Sequence, residues 1–258
     1  MITQEYRVVV ADDLLERSRS DQLTAFEQLT DGDTRLVLLC GQRQAARVHR
    51  EAALARSILE ARVAVVPLPG GPLAQFAMAR IAERALIMAD RPTAVIVSQL
   101  PALAAQLVDI GLVTSVSALD LPSVKLRHHL ASYLPGSHLF AVQLTPTPVV
   151  AAASRARVPT VDFGETGIHL LVAGTRSIPV ALAEELGALG PAVRVTADLD
   201  LPGFWRDEQA TEVMVVPADP SAWVAQEVAI HAGHPCGWCD ELLATTASSC
   251  VFCGHTPR

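Results

Sequence analysis

Lysine is almost absent from this chain. Of the 20 basic residues, Lys125 is the sole lysine and the other 19 are arginines, set against 27 acidic residues for a net charge of −7. That acidic balance excludes a strong nonspecific grip on nucleic-acid backbones. Long apolar runs are missing too. Mean hydropathy is +0.33, yet the longest uncharged apolar stretch, Pro92 to Val108, is interrupted by Pro101 and closed by Asp109. A stretch so short and broken does not span a bilayer. Met1–Glu5 has no basic region leading into an apolar run, so no secretory signal is expected. Cysteines number only five. In a chain with no export signal, grouped cysteines point to the cytoplasm and to metal ligation rather than disulfides.

The remaining composition, half apolar and 18% charged over 258 residues, is that of a folded globular protein. Apolar runs of strand length occur at Tyr6–Val10, Arg35–Cys40, Val63–Val66 and Thr93–Val97. They are continuous rather than alternating, as in strands buried on both faces of a parallel sheet. Segments of helical composition follow each of them: Asp21–Leu29, Ala45–Ala61, Leu73–Ala89 and Ala102–Ile110. Strands are expected at Leu112–Ser117 and Leu139–Leu144 with a helix near Ser123–Tyr133, and the pattern resumes at Ile168–Ala173, Ile178–Leu189, Ala192–Thr196, Glu212–Val216 and Ser221–His231. This alternation predicts an α/β, Rossmann-like layered fold with a mostly parallel sheet. Leu144-Thr-Pro-Thr-Pro148 is the natural linker. The expected domains are residues 1–147, a smaller α/β unit over 148–232 that either stands alone or continues the first sheet, and a finger over 233–258.

The most specific chemistry lies in that finger. Cys236-Gly-Trp-Cys239 and Cys250-Val-Phe-Cys253 are separated by ten residues. Two such knuckles aim four thiolates at one point, a closed tetrahedral site for one structural Zn²⁺. Iron in the same S₄ set, a pair of reversible disulfides, or no ligand at all are the competing readings. Phe252 in the second knuckle and Gly254 after it complete a resemblance to the short Cys₄ zinc-ribbon family, confined to residues 236–254, with Asp240 where the first knuckle usually has glycine. The resemblance implies a small metal-held finger. His231, His234 and His255 flank it without being needed as ligands. Its weak acidity argues against nucleic acid, and an exposed Trp238 or Phe252 would anchor a protein partner.

Other motifs are less complete. Ile168-His-Leu-Leu-Val-Ala-Gly174-Thr175-Arg176-Ser177 runs from a strand through a glycine turn toward a helix, and Asp198 follows some two dozen residues on, near where a dinucleotide fold places its ribose carboxylate. Arg176 and Pro179 stand where the other fingerprint glycines belong. Gly70-Gly71-Pro72 forms a second strand-to-helix turn, without the lysine of a triphosphate loop. Asp12-Asp13 after Arg7-Val-Val-Val resembles the acidic pair of response-regulator receiver domains, although Val63–Val66 ends in Pro67 and not in an acceptor aspartate. Arg43, Arg47 and Arg50 share one helix face, read as solvated. No catalytic set can be assembled. The sequence therefore leads to an expectation of a cytoplasmic, non-catalytic accessory or assembly protein that uses its Cys₄ finger for protein contact. A nucleotide- or dinucleotide-binding enzyme centred on Gly174–Ser177 and Asp198, and a rubredoxin-like iron carrier, are the alternatives.

Overall fold

The structure, a computed structural model, describes residues 6–11, 14, 18–30, 34–88, 92–117, 119, 123–133, 139–228, 232–245 and 247–256. The expectations for Met1–Glu5, Asp12, Asp13 and His231 lie outside the described residues. The chain forms two compact units. One comprises Met1–Leu68, Gln75–Leu103 and Val224–Arg258, the other Pro69–Ala74 and Ala104–Trp223.

The first unit begins with β1 (Tyr6–Val10), α1 (Arg19–Leu29), β2 (Arg35–Gly41), α2 (Ala45–Leu59) and β3 (Arg62–Leu68). The three strands are parallel in the order β1-β2-β3, with Tyr6, Arg35 and Arg62 level with one another at their amino ends. β2 is buried from Arg35 to Cys40, which is why its sequence is a continuous apolar run. Cys40 sits there as a small buried hydrophobe. In α2 the buried residues are Val48, Ala52 and Ala55, the spacing of one helix face. Small residues let that helix lie close to the sheet. Phe26 of α1 and Leu36 and Leu38 of β2 join the same core, each contributing roughly 1.5–3 kcal/mol by leaving water. Ser18 caps α1, its Oγ accepting from the Asp21 N–H at 3.4 Å.

Helices α3 (Pro72–Met88) and α4 (Thr93–Ala104) follow. Thr93–Val97 is therefore helix, not the expected strand. Ala94, Val95, Ile96, Val97, Leu100 and Leu103 are all buried. A fully apolar run carries no periodicity that separates helix from strand, and burial overrides β-branched preference.

The second unit holds β4 (Val108–Val113), α5 (Leu126–Tyr133), β5 (Phe140–Thr145), β6 (Val149–Ala152), β7 (Ile168–Gly174), α6 (Val180–Gly187), β8 (Ala192–Arg194), α7 (Leu201–Trp205) and β9 (Thr211–Pro217). Its six-stranded sheet has the order β6-β5-β4-β9-β7-β8. Every neighbouring pair is antiparallel except β7–β8. The fold is thus α/β with mixed sheets, and the expectation of a mostly parallel sheet is corrected. The short links misled: Leu144–Pro148, read as a linker, is the turn of the β5–β6 hairpin, with Val142 paired to Val150 and a cis peptide at Thr145–Pro146. The 147/148 boundary thus falls inside one sheet. β4 occupies ground expected to be helix over Ala102–Ile110, because Asp109 and Gly111 disguise a buried strand.

The chain then passes through α8 (Pro220–Glu227) to the antiparallel pair β10 (Ala232–Pro235) and β11 (Leu242–Ala244). Asp219 Oδ1 accepts from the Ser221 and Ala222 N–H groups at 3.0 and 3.1 Å, the helix start its position implied.

Candidate functional site

The four finger cysteines converge. Their sulfur atoms all lie within 4.8 Å of one another, with Cys236–Cys253 and Cys239–Cys250 each at 3.5 Å. A tetrahedron with metal–sulfur bonds near 2.3 Å has edges of about 3.8 Å, so the quartet fits a metal ion and could hold one. The knuckles match each other. Asp240 N–H donates to Cys236 O at 3.0 Å, and Gly254 N–H to Cys250 O at 2.9 Å. Asp240 and Gly254 both have positive φ, 59° and 75°. Asp240 thus occupies the glycine position of its knuckle in the conformation glycine would take, and aspartate tolerates it better than most residues. Burial raises the Cys236 thiol, but the N–H groups of Cys239 and Trp238 outweigh it and bring it down to about 7. Burial dominates at Cys253, lifting it to about 11. A bound cation would hold these groups as thiolates.

Two long-range contacts fasten the finger to the first α/β unit. Arg35, the first residue of β2, forms a buried ion pair with Glu241, between the first knuckle and β11. Its guanidinium also lies 5.6 Å from the Tyr6 ring. Arg56 of α2 donates through Nε to Val63 O at 2.9 Å and through Nη2 to Val251 O at 3.4 Å. Phe252 is fully buried. Trp238 is 76% exposed and stacks on His255, ring centroids 6.1 Å apart.

The structure gives Gly174–Ser177 a different role from the one its sequence suggests. Gly174 ends β7 at φ 107°, and a side chain there would strike the backbone of Ala210 and Thr211. Arg176 is engaged by Asp207, Nη2 to Oδ1 at 3.0 Å. Arg176 O accepts from the Thr211 hydroxyl. Thr175 and Ser177 are exposed, as is Asp198 beyond β8. The glycine is explained by close packing, and the arginine is held by its own carboxylate.

The sequence reading missed a buried carboxyl pair. Asp109 of β4 and Glu212 of β9 are both fully buried. Gly111 stands opposite Glu212, and Asp109 opposite Met214, so the two acids lie diagonally on one face. They close the turn before α3. Asp109 Oδ2 accepts from Gly71 N–H at 2.7 Å, and Glu212 Oε1 accepts from Leu73 and Ala74 N–H at 3.0 and 3.3 Å. Trp205 Nε1–H donates to Glu212 Oε2 at 2.9 Å. Helix amino termini leave such N–H groups without partners, and buried carboxyls supply them. Gly70 and Gly71 are glycines because a Cβ at either would sit 2.8 or 2.7 Å from a carboxylate oxygen. Gly111 makes room for the Trp205 ring. Burial raises Asp109 to about 6 against the pull of Gly71 N–H. Burial and then the Asp109 charge raise Glu212 well above the usual carboxylate range. The two carboxyls are coupled, and the pair holds a proton to higher pH than exposed carboxyls do. The available signal was an acid inside each of two apolar runs, Val108–Val113 and Thr211–Pro217.

The first unit also carries an apolar pocket. Ala11, Leu14, Phe26, Leu38 and Val48 line it with Gln22 and Glu51, and its volume is about 10 Å³. Its lining includes Ala11, the residue after β1, which lies at the carboxyl end of that strand, the end at which α/β sheets take ligands. No helix among the described residues is long and apolar enough to cross a membrane.

No protein-family model matches the chain, and no curated protein matches it in sequence. Solved structures do match. A DegV family protein from Corynebacterium glutamicum aligns over 84% of this chain and 98% of its own, with TM-score 0.53 and 15% identity. The chain has a DegV-like fold. A DegV family protein from Thermus thermophilus, described as binding fatty acid, gives TM-score 0.55 at 13% identity over 78% of this chain and 77% of that one. One from Ruminococcus gnavus, refined with vaccenic acid, gives 0.50 at 9% identity over 74% and 76%. These neighbours overturn the expected accessory protein defined by a protein-docking zinc ribbon. The likeness covers most of this chain. The nucleotide-enzyme and rubredoxin alternatives are corrected with it. The error arose because four cysteines advertise themselves in sequence, whereas an apolar ligand site is written in residues indistinguishable from core.

Proposed function

We propose that this protein binds a long-chain fatty acid, with the hydrocarbon tail entering the first unit between α1 and the β1–β3 sheet. The observation that supports it is a DegV-like fold over most of the chain, shared with structures described as fatty-acid-bound. The local chemistry agrees. Leu14, Phe26, Leu38 and Val48 present hydrocarbon, and Glu51 at the same pocket disfavours a carboxylate, so this pocket takes the tail and not the head. Each buried methylene contributes about 0.8 kcal/mol before the costs of association. Ligand pockets run to about 300–1,000 Å³, far above the 10 Å³ seen here. Binding therefore displaces α1, which is held by the buried Gln22, Ala25 and Phe26.

Displacement of a fluorescent fatty acid by unlabelled palmitate tests the reading. Val48→Phe, which fills the pocket, should weaken binding about tenfold or more, while Val48→Ala, which enlarges it, keeps binding despite a stability loss of about 1–3 kcal/mol. Equal affinity in both variants would place the tail elsewhere.

The finger has a supporting role in this reading. Four thiolates at these separations suit one structural Zn²⁺, and the likeness of residues 236–254 to short zinc ribbons is in keeping with it. A reducing compartment, the cytoplasm, is the setting in which such thiolates persist.

A further inference from the structure

We propose that Arg56 is the counter-cation of the four-thiolate site, a positioning residue that couples metal occupancy to the stability of the first α/β unit. The inference rests on the metal assignment above. Four thiolates around a dication carry a net charge of about −2. Among the described residues the finger has no lysine or arginine to balance it. Its Asp240 is itself acidic, and Glu241 is consumed by Arg35. The balancing charge comes from 195 residues away in the chain, where Arg56 Nη2 donates to Val251 O, between Cys250 and Cys253. Burial disfavours the Arg56 cation there, and the charges of Cys253 and Cys250 favour it.

The same guanidinium holds the second residue of β3 through Val63 O, and Arg35 begins β2. Finger and sheet therefore meet at the amino ends of β2 and β3, which are level in register. The apolar pocket is lined by Ala11, which follows the other, carboxyl end of β1. An arginine shared between a knuckle carbonyl and a strand carbonyl is oriented by both. Metal loss lets the sulfurs take up protons in place of the cation, which removes the net negative charge that attracts Arg56, frees the knuckle, and loosens the end of α2 and the start of β3. On this account the finger is a buttress of the α/β unit, placed away from the ligand.

The test uses the full chain loaded with Zn²⁺, and compares wild type, Arg56→Gln, Arg56→Lys and the surface control Arg50→Gln. Metal content is read first; a wild type that binds no zinc overturns the metal assignment itself. With zinc bound, Arg56→Gln should release it to a colorimetric chelator about tenfold faster or more, the usual scale for a group that supports metal ligands. Arg56→Lys should recover part of that loss. Arg56→Gln should lower the melting temperature of the zinc-loaded protein clearly more than that of the metal-free protein, which loses only the bond to Val63 O. An equal drop in both forms with an unchanged release rate would show Arg56 to be an ordinary packing residue and overturn the inference. Should Arg56→Gln not fold, hydrogen exchange of the wild type decides the matter. Chelation should deprotect the last turn of α2 and the start of β3, and unchanged protection there overturns the coupling.

Discussion

Replacing Asp109 with asparagine should flatten the pH dependence of stability. In the native protein Asp109 lies fully buried against Glu212, and burial raises it from 3.8 to about 6. Between those values the native state holds a proton that the unfolded chain has released, so unfolding free energy falls as pH rises. The stability is fully present below about pH 4 and is lost as pH passes about 6. At 1.36 kcal/mol per unit, the loss is about 3 kcal/mol. In the Asp109→Asn variant the new side chain keeps an oxygen for the Gly71 N–H, and Glu212 loses the neighbouring charge that adds to burial in raising it. Urea unfolding at intervals from about pH 4 to pH 8, followed by tryptophan fluorescence, measures the effect. The variant should gain on the wild type by about 3 kcal/mol across the range. Parallel profiles for the two proteins would refute the coupled-carboxyl account of the pair.

Two further predictions concern the finger and its attachment. Asp240 holds φ at 59° where its counterpart is Gly254, so Asp240→Gly should stabilise the zinc-loaded protein by about 1 kcal/mol, read as a raised denaturation midpoint. The Arg35–Glu241 pair is buried on both sides. Arg35→Met strands a buried carboxylate and should cost about 3–5 kcal/mol, whereas Arg35→Met with Glu241→Met should recover most of it in a double-mutant cycle.

What the sequence disclosed depended on how local the signal was. The two knuckles were legible because ligand spacing lies within a few residues and because thiol chemistry admits few uses. The β1-α1-β2-α2-β3 run was legible because its strands are continuous apolar runs, the central one, β2, buried on both faces. The second sheet was not: apart from the β5–β6 hairpin, the antiparallel order among β4, β5, β7 and β9 is set by which strands meet across long separations, and no local pattern records it. β4 was hidden by the residues that give it importance. Asp109 breaks its apolar run because it reaches the Gly71 turn, and Gly111 because Trp205 lies over it. Nothing local singled out Arg35 or Arg56, whose partners Glu241 and Val251 lie about two hundred residues away in the chain. The pocket carried no signal, since Leu14, Phe26, Leu38 and Val48 serve a core equally well.

The most direct test of the central claim is mass spectrometry of what the protein carries when purified from cells without detergent. Under native conditions the chain should show a mass increment of one long-chain fatty acid, which organic extraction recovers, and Val48→Phe should lose it. Protein that remains ligand-free, and that shows no palmitate adduct at ligand concentrations well above plausible affinities, would contradict fatty-acid binding.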